Sequence, residues 1–247
     1  MDTQVPQDGK NRGKSSEDEA LFGPAKERAK LMHALQDMYY LLSRGYSAKS
    51  SLALAGNRYR LRARQLMAVQ GMGCSAHEVE VRKDKELDAA GLKGKTLYLD
   101  GFNVLILLET VLSGGYVFRG LDGCYRDISS VHGTYKKVSQ TERALVIAGN
   151  ALQALGLEKA VWIFDTPVSN SGRLKALCYK IATDNKFNWE IFLENNPDKY
   201  LAQNGRVVAS ADAWVLNECT AWFNLGAHII GQIYKDGRPA HVISMDV

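Results

Sequence analysis

The chain has 247 residues, of which 46% are hydrophobic and 23% are charged. A chain of this length and composition can bury the core of one large domain or two small ones, which excludes wholesale disorder. The best candidate for a membrane segment, residues 104–112, is interrupted by Glu109 and Thr110 and falls short of the roughly 18 apolar residues that span a bilayer. The polar, acidic N-terminus is unlike a signal peptide. We therefore expect a cytoplasmic protein that does not contact a membrane.

The four cysteines lie at least 40 residues apart, at positions Cys74, Cys124, Cys178 and Cys219. Zinc knuckles and dithiol redox motifs need cysteines that are only a few residues apart. We therefore expect four reduced thiols, as is usual in the cytosol.

The net charge of +4 is unevenly distributed along the chain. Residues 1–20 carry three basic and five acidic groups, residues 21–75 carry nine and two, and residues 76–247 carry nineteen and twenty. The excess positive charge therefore belongs to residues 21–75, which indicates contact with nucleic acid or another polyanion. Solvated helix faces also carry many arginines, so a purely structural interpretation stays open.

The first third of the chain is predicted to be helical after a disordered tail at residues 1–20. Residues 21–75 are predicted to form a small basic domain of three helices. The first helix runs from about Pro24 to Gly45, the second is capped by Ser47 and ends at a break at Gly56, and the third covers about 61–69. The highly charged segment 76–95 is predicted to be a linker.

Residues 96–247 are predicted to form an α/β domain, because short apolar runs alternate with helical segments. The predicted strands are 96–100, 160–165, 189–193, 206–210 and 228–231. The predicted helices are about 102–112, 141–156, 171–184 and 213–224. This alternation is typical of a parallel sheet that is covered on both faces.

Three of the predicted strands lead into an aspartate. The strands TLYLD and AVWIFD end in Asp100 and Asp165, and RVVAS is followed by Asp212. Because ligands of open α/β sheets bind outside the carboxyl ends of the strands, these carboxylates are candidate site residues. Crowded carboxylates repel one another, and a divalent cation such as Mg²⁺ or Mn²⁺ would neutralise them. For a single aspartate, helix capping is the simpler interpretation; for three together we favour a metal site.

Two polar residues near these acids have less specific signals. Asn103, one helical turn after Asp100, either orients a carboxylate or a water or is a surface residue. Glu218 is a further candidate metal ligand, although its position inside a helix also fits a solvated side chain.

Two segments have residues suited to binding phosphate or a substrate strand. After Asp165, the sequence TPVSNSGR predicts either an anion site at a helix N-terminus or an ordinary capped helix. The long segment 122–137 predicts either a functional loop or an irregular cover. Its histidine, His132, is a candidate catalytic acid, although a single histidine is more typical of a structural residue. The candidate substrate-binding residues of these segments and of the third acidic strand end are Arg126, His132, Lys136, Ser169, Ser171, Arg173 and Ser210.

The helical domain contains the run RYRLRAR, with candidate nucleic-acid contacts at Arg58, Arg60, Arg62 and Arg64. In a helix that starts at Leu61, Arg62 and Arg64 lie about 200° apart, so the four cannot face one phosphate. A broad basic surface is predicted, and a recognition helix over residues 61–69 is a more specific alternative.

The run LYLDGFNVL, a strand ending in WIFD and another leading to VVASAD resemble the acidic motifs of PIN-like nucleases, particularly their NYN branch. Over residues 25–235 the chain resembles a prokaryotic family in which a small helical domain of unknown function precedes a PIN-like domain. This resemblance implies an α/β nuclease that hydrolyses phosphodiester bonds with one or two divalent ions. It assigns metal binding to Asp100, Asp165 and Asp212 and the motif asparagine to Asn103.

The fourth acid of the PIN-like pattern has no clear counterpart. Glu218 is the nearest acid after Asp212, but six residues along a helix place it about 240° around the axis. We therefore expect a Mg²⁺- or Mn²⁺-dependent nuclease acting on RNA or single-stranded nucleic acid, with homo-oligomerisation left open. The alternatives are a catalytically inactive domain that binds nucleic acid or a partner, and a small-molecule phosphoesterase.

Overall fold

The computed structural model describes residues 12–129, 134–235 and 241–244. The helices are α1 (Asp18–Phe22), α2 (Ala25–Ser43), α3 (Ala48–Arg58), α4 (Ala63–Met72), α5 (Ala76–Lys85), α6 (Gly101–Leu112), α7 (Thr141–Ala154), α8 (Ser171–Asn185), α9 (Pro197–Leu201), α10 (Ala213–Glu218) and α11 (Leu225–Lys235). The strands are β1 (Thr96–Asp100), β2 (Tyr116–Arg119), β3 (Tyr125–Arg126), β4 (Lys159–Asp165), β5 (Trp189–Glu194), β6 (Val207–Ala209), β7 (Ala221–Trp222) and β8 (His241–Ser244). The protein is thus an N-terminal helical region followed by an α/β region.

The helical region contains the three predicted helices as α2, α3 and α4. Ser47 caps α3 as expected, because its hydroxyl accepts a hydrogen bond from the Ser50 amide at 3.1 Å. The predicted break at Gly56 is wrong: α3 continues to Arg58, and Gly56 is buried against Leu66 of α4. The glycine therefore allows two helices to approach rather than ending one.

The structure differs from our expectation at both ends of this region. Residues 76–85, within the predicted linker, form helix α5, which begins with a capping box between Ser75 and Glu78. The side chain of Arg82 on α5 is buried and donates to Asp122 at 2.5 Å and to Asn217 at 2.8 Å. Charged residues look like a linker in a sequence, but here a buried ion pair holds the segment against the α/β region. Residues 1–11 of the predicted tail lie outside the described residues, and within its remainder Asp18 begins α1 and is buried.

The main sheet has five strands in the order β5-β4-β1-β6-β7, and all neighbours are parallel. Its first face packs against α6, α7, α8 and α11 through residues such as Leu97, Leu99 and Trp162. Its second face packs against α9 and α10 through Val161 and Ile163. The alternation along each strand therefore buries both faces, as in other doubly wound sheets.

The predicted strand at 228–231 is wrong, because these residues lie inside helix α11. Ile229, Ile230 and Ile233 are buried in the core of the first face. Their spacing fits one face of a helix, but a short apolar run alone does not separate a buried strand from a buried helix. The predicted helix 213–224 ends at Glu218, and its last residues contribute β7.

A second sheet of three short strands, in the order β3-β2-β8, joins the two regions. Phe22 of the helical region packs against Tyr116 and Phe118 of β2, with ring centroids 5.3 and 4.9 Å apart. Ile128 and Ile243 complete this shared hydrophobic cluster. The helical region is therefore fixed against the α/β region by a common core.

Candidate functional site

The carboxyl edge of the main sheet opens into a cleft of about 530 Å³ between β1 and β6. The crossover from β1 to β4 runs over the first face, and the connection from β6 to β7 runs over the second face. The strand order therefore reverses between β1 and β6, which is the position where open α/β sheets bind ligands. Asp100, Asn103 and Asp212 line the cleft on the sheet side, and Met67 and Gln70 of α4 line the opposite side. The helical region thus supplies one wall of the cleft.

Asp100 ends β1 and caps α6 at the centre of this edge. Its Oδ2 accepts a hydrogen bond from Ser210 Oγ at 2.8 Å, and its Oδ1 accepts a long one from the Asn103 amide at 3.4 Å. Burial raises the pKa of Asp100 to about 7, with smaller contributions from the charges of Asp198 and Asp212, although both hydrogen bonds act in the opposite direction. The carboxyl group is therefore held where its ionised form is poorly solvated.

Gly101, directly after Asp100, allows α6 to start tightly against the sheet. A Cβ at this position would lie 2.5 Å from the ring of Phe164 and 2.8 Å from the Ile163 carbonyl oxygen. Glycine is therefore required after the aspartate for a steric reason, because it lets the N-terminus of α6 approach β4.

Ser210 and Asn103 connect Asp100 to Asp212. The Ser210 hydroxyl, which donates to Asp100, also accepts from the Asp212 amide at 3.0 Å. Asn103 Oδ1 accepts from the Ala211 amide at 3.1 Å, so this side chain holds the turn after β6. Both residues therefore fix the two carboxylates relative to each other.

Asp212 caps α10 as well as lining the cleft. Its Oδ1 accepts from the amides of Trp214 and Val215 at 2.9 and 3.0 Å. The capping interpretation and the site interpretation are thus compatible, because Oδ2 is the oxygen with which this side chain can face a ligand.

Asp165 ends β4, next to β1 in the sheet. Its Oδ1 is buried and has no hydrogen-bond partner among the described residues. Burial raises the pKa of this carboxyl group. A buried carboxylate oxygen without a donor is costly, so this atom is one that a ligand would satisfy.

No local sequence pattern marks Asp198 as a site residue; it lies on α9 above the second face. Burial raises its pKa, and the negative charges of Asp212 and Asp165 raise it further; Asp198 in turn acts on Asp100. It is therefore the acid whose charge reaches all three strand-end aspartates. The proline and asparagine that start α9 gave a helix signal, but nothing in the local sequence placed that helix over the acidic edge.

Glu218, the predicted fourth acid, is not brought to this edge. It is exposed at the last position of α10, whereas Asp212 caps the first turn. Six residues of helix separate them by roughly 9 Å along the axis. Asp198, rather than Glu218, is therefore the further acid within electrostatic range of Asp100, Asp165 and Asp212.

In the parts of the chain that the structure describes, no three His, Cys, Asp or Glu side chains are close enough together to hold a metal ion. Mg²⁺ usually keeps several waters and is bound by only one or two carboxylates, so it does not need such a group. The all-oxygen donor set and the unpaired Asp165 oxygen fit a hard divalent cation better than zinc or copper.

The cleft contains another acid, which no sequence motif marks as a site residue. Asp127 follows β3 and lines the cleft, and its Oδ1 accepts from the Ser129 amide at 2.6 Å. Burial raises the pKa of Asp127 to about 6. The cleft therefore has acidic groups on more than one wall.

Arg126 borders the cleft but is engaged inside the protein. It forms a two-pronged ion pair with Asp122, at 2.8 and 2.6 Å, and its Nε donates to the Ala211 carbonyl at 2.8 Å. The predicted phosphate ligand is thus a scaffold residue that fixes the turn leading to Asp212. A sequence does not show this, because a surface arginine and a paired arginine look alike.

The predicted anion site after Asp165 is partly an internal turn. Ser171 is buried, and its hydroxyl donates to the Val168 carbonyl, while the Ser169 carbonyl accepts from the Tyr135 amide at 3.1 Å. Lys136 and Arg173 are exposed and line a separate cavity of about 500 Å³ with Asn170. His132 lies outside the described residues.

The four predicted arginines of the helical region fall into two groups. Arg58, Arg60 and Arg62 are exposed, and Arg58 lies 3.4 Å from Asp37. Arg64 instead forms a two-pronged pair with buried Asp18, at 2.6 and 3.0 Å, and belongs to the structure of the region. Of the four, only Arg58, Arg60 and Arg62 are therefore exposed enough to contribute to the predicted basic surface.

The alternative recognition helix over residues 61–69 contains one amide side chain of the kind that reads bases, Gln65. Gln65 is buried and donates to the Leu21 carbonyl at 3.1 Å. Its amide is therefore used inside the helical region.

No helix in residues 12–129, 134–235 and 241–244 has the length and apolar character needed to cross a membrane.

Comparisons with known proteins agree on a family. Residues 30–85 match the family described as "Protein of unknown function (DUF434)", and residues 89–228 match "Domain of unknown function (DUF5616)". The chain is 32% identical over 183 residues to "Uncharacterized protein MJ0935" of Methanocaldococcus jannaschii, which covers 74% of this chain and 87% of that protein. No solved structure matches it significantly. Because the second match spans more than half of the chain, the protein belongs to the DUF5616 family.

Proposed function

We propose that the protein is a divalent-metal-dependent nuclease that hydrolyses phosphodiester bonds in single-stranded nucleic acid. The observation that carries the proposal is the position of Asp100: it stands on the central strand, at the point where the strand order reverses, and faces a cleft that Asp212 also lines. Asp165 and Asp198 extend the acidic edge on the second face.

The electrostatics of this edge support a cation as the missing partner. Desolvation and neighbouring negative charges raise the pKa of Asp100, and they raise that of Asp198 as well. An acidic cleft repels a polyanion, so a nucleic acid would enter it only with its phosphate charge neutralised. One or two of the four aspartates would bind the cation directly, and the others would act on it through its bound waters.

Bound there, a divalent ion would lower the pKa of a water and stabilise charge on the scissile phosphate. The chain's own residues have supporting tasks. Ser210 fixes the orientation of Asp100, Asn103 holds the turn before Asp212, and Arg126 supports the same turn through the Ala211 carbonyl. Exposed cationic side chains outside the acidic edge would contact the substrate; examples are Arg60, Arg62, Lys136 and Arg173.

The preference for nucleic acid over a small phosphoester is supported by charge. The helical region, which forms one wall of the cleft, carries the positive excess of the chain and exposes Arg58, Arg60 and Arg62. Such a surface gives sequence-independent affinity for a phosphate backbone that falls with salt. The resemblance of LYLDGFNVL to the first motif of PIN-like nucleases is consistent with this proposal.

The test is cleavage of labelled single-stranded RNA and DNA, in Mn²⁺, in Mg²⁺ and in chelator. Wild-type protein should cut in the presence of metal and not in chelator. Asp100→Asn should reduce the cleavage rate by at least a hundredfold while preserving salt-sensitive binding. Full activity in that variant would refute the site.

Asp198→Asn and Glu218→Gln form a matched pair, because both remove one carboxylate from a short helix on the second face. The first should lower metal-dependent cleavage, and the second should leave it unchanged. The reverse result would identify Glu218, rather than Asp198, as the fourth acid of the site.

A second candidate is a non-catalytic nucleic-acid-binding or partner-docking protein. It is favoured by the absence, among the described residues, of three side chains gathered to hold a metal. Under this alternative no substrate is cut in any metal, and tight binding responds to salt alone.

A further inference from the structure

We propose that Trp214 is a stacking platform for an unpaired nucleobase at the rim of the cleft. A single strand bound across Asp100 and Asp212 would rest one base on the indole ring. The inference rests on the proposed function only in taking nucleic acid as the ligand, and it adds a binding subsite and a reason for preferring a single strand.

The position of Trp214 is the first observation. Asp212 and Ala213 line the cleft, and Trp214 is the next residue, outside the lining. Its backbone amide donates to Asp212 Oδ1 at 2.9 Å, which fixes the residue directly beside a candidate site carboxylate. A strand that leaves the cleft past Asp212 therefore passes this residue.

The exposure of the side chain is the second observation. Trp214 is 46% exposed, whereas Trp162, Trp189 and Trp222 are all buried. Isolated exposed apolar residues need no explanation in general. Here the exposed residue directly follows Asp212 and Ala213, which line an acidic cleft, and core packing does not account for a tryptophan that is this exposed.

The rigidity of the backbone is the third observation. Val215 and Leu216 anchor α10 in the core of the second face, and Arg82 donates to the Ala213 carbonyl at 3.4 Å. An aromatic ring on a fixed turn loses little conformational entropy when a base stacks on it, so stacking is favoured. Every base has a π face, so such a platform selects unpaired bases without reading sequence.

Glu218 limits the path of the strand. It lies four residues after Trp214 and is exposed on the same side of α10. Phosphates following the stacked base are repelled from this carboxylate. The strand is therefore directed across the start of α10 rather than along it.

Binding is measured in chelator, so that cleavage does not interfere, with short single-stranded homopolymers of RNA and DNA. Because the other three tryptophans are buried, a change in intrinsic fluorescence on adding a strand reports mainly on Trp214. A single strand should quench it, and an abasic sugar-phosphate strand of equal length should not. Equal quenching by the abasic strand would overturn the proposal.

Variants separate stacking from a structural role. Trp214→Ala should weaken binding of the single strand by roughly 5- to 150-fold, the range that loss of one stacked base produces. Trp214→Phe, which keeps a ring, should retain most of the affinity. Tyr179→Ala, at an equally exposed aromatic on α8, is the control and should bind like wild type. Wild-type affinity in Trp214→Ala, or an unchanged preference for single over double strands, would refute the platform.

The outcomes also separate this inference from the proposed function. If no nucleic acid is cut in any metal but Trp214 quenching and its loss in the variant persist, the nuclease proposal fails and the stacking site stands. If cutting is metal-dependent and Trp214→Ala cuts and binds normally, the stacking site fails and the nuclease proposal stands.

Discussion

Replacing Asp122 by asparagine should destabilise the protein strongly, because this carboxylate neutralises two buried arginines at once. Its side chain is 1% exposed, and those of Arg82 and Arg126 are 2% and 13% exposed. Its Oδ2 accepts from Arg82 Nη1 at 2.5 Å and from Arg126 Nη2 at 2.6 Å, and its Oδ1 accepts from Arg126 Nη1 at 2.8 Å. The substitution Asp122→Asn keeps the volume of the side chain and removes its charge.

The size of the stability loss in Asp122→Asn depends on the partners that Arg82 and Arg126 retain. Arg82 still has Glu78 at 3.2 Å and Asn217 at 2.8 Å, but Arg126 loses its sole carboxylate partner among the described residues. Removing one partner of a buried pair costs about 3–5 kcal/mol, which is a large share of the roughly 5–15 kcal/mol that stabilises a domain. We expect a loss near the lower end of that range, because Arg82 is partly compensated.

The assay is urea unfolding of wild type and Asp122→Asn at neutral pH, followed by circular dichroism. Lys137→Gln is the control, because its pair with Glu142 is exposed, with side chains 55% and 60% accessible. An exposed pair of this kind contributes about 0–1 kcal/mol. Asp122→Asn and Lys137→Gln each disrupt an ion pair, and the two ion pairs differ mainly in how deeply they are buried.

The pH dependence gives an independent check. Burial raises the pKa of Asp122, but the hydrogen bonds and charges of Arg126 and Arg82 outweigh it, and the net pKa is lowered. A lowered pKa in the folded state means that this group stabilises the protein above its ordinary pKa of about 3.9 and loses that contribution as pH falls through the lowered value. The acid limb of the stability curve should therefore be shallower in Asp122→Asn. A loss of less than about 1 kcal/mol with an unchanged acid limb would refute the reasoning.

Three further predictions concern stability. Burial raises the pKa of Asp100 to about 7, so the contribution of this group to stability is complete below pH about 4 and is lost as pH rises through 7. In the absence of metal, Asp100→Asn should therefore be more stable than wild type at pH 8, measured by thermal unfolding. Gly149→Ala places a Cβ at 2.0 to 2.5 Å from the Phe187 ring and should cost about 1–3 kcal/mol in urea unfolding despite the better helix propensity of alanine. Glu109→Gln leaves the Arg12 guanidinium, 2.8 Å from a fully buried carboxylate, without its charge partner, and should cost about 3–5 kcal/mol in the same measurement. Wild-type stability in any of the three variants would contradict the corresponding argument.

The corrected role of Arg126 changes how the cleft should be understood. Asp122 links Arg126, which supports the turn before Asp212, to Arg82 on α5. The helix found in the predicted linker is therefore tied to the wall of the cleft by buried charge. Mutations in this network should alter the geometry of the acidic edge as well as stability.

Much of the acidic edge was predictable from local sequence. A strand that ends in aspartate and is followed by a helix places its carboxylate at the carboxyl edge, and parallel pairing brings such edges together. Asp100 and Asp165 follow this rule, and Asp212 follows β6 after two further residues and caps the next helix. Asn103 and Ser210 lie close to these acids in the sequence, but their hydrogen bonds depend on the pairing of β1 with β6.

The remaining errors share one physical cause, which is that the deciding partner lies far along the chain. Arg64 and Arg126 looked like phosphate ligands because Asp18 and Asp122 are not recognisable as partners in the sequence. The isoleucines of α11 looked like a strand because their burial is set by packing against the first face of the sheet.

The sequence by itself determined the class of the fold, the parallel sheet and three of its acidic strand ends, because hydrophobic periodicity and the residues at strand ends act locally. Only the tertiary structure decided that α9 brings Asp198 within electrostatic range of those acids, that α4 supplies a wall of the cleft and that Trp214, after the cleft-lining Ala213, is exposed. These relations arise from packing between segments distant in sequence, whose contacts no local pattern specifies.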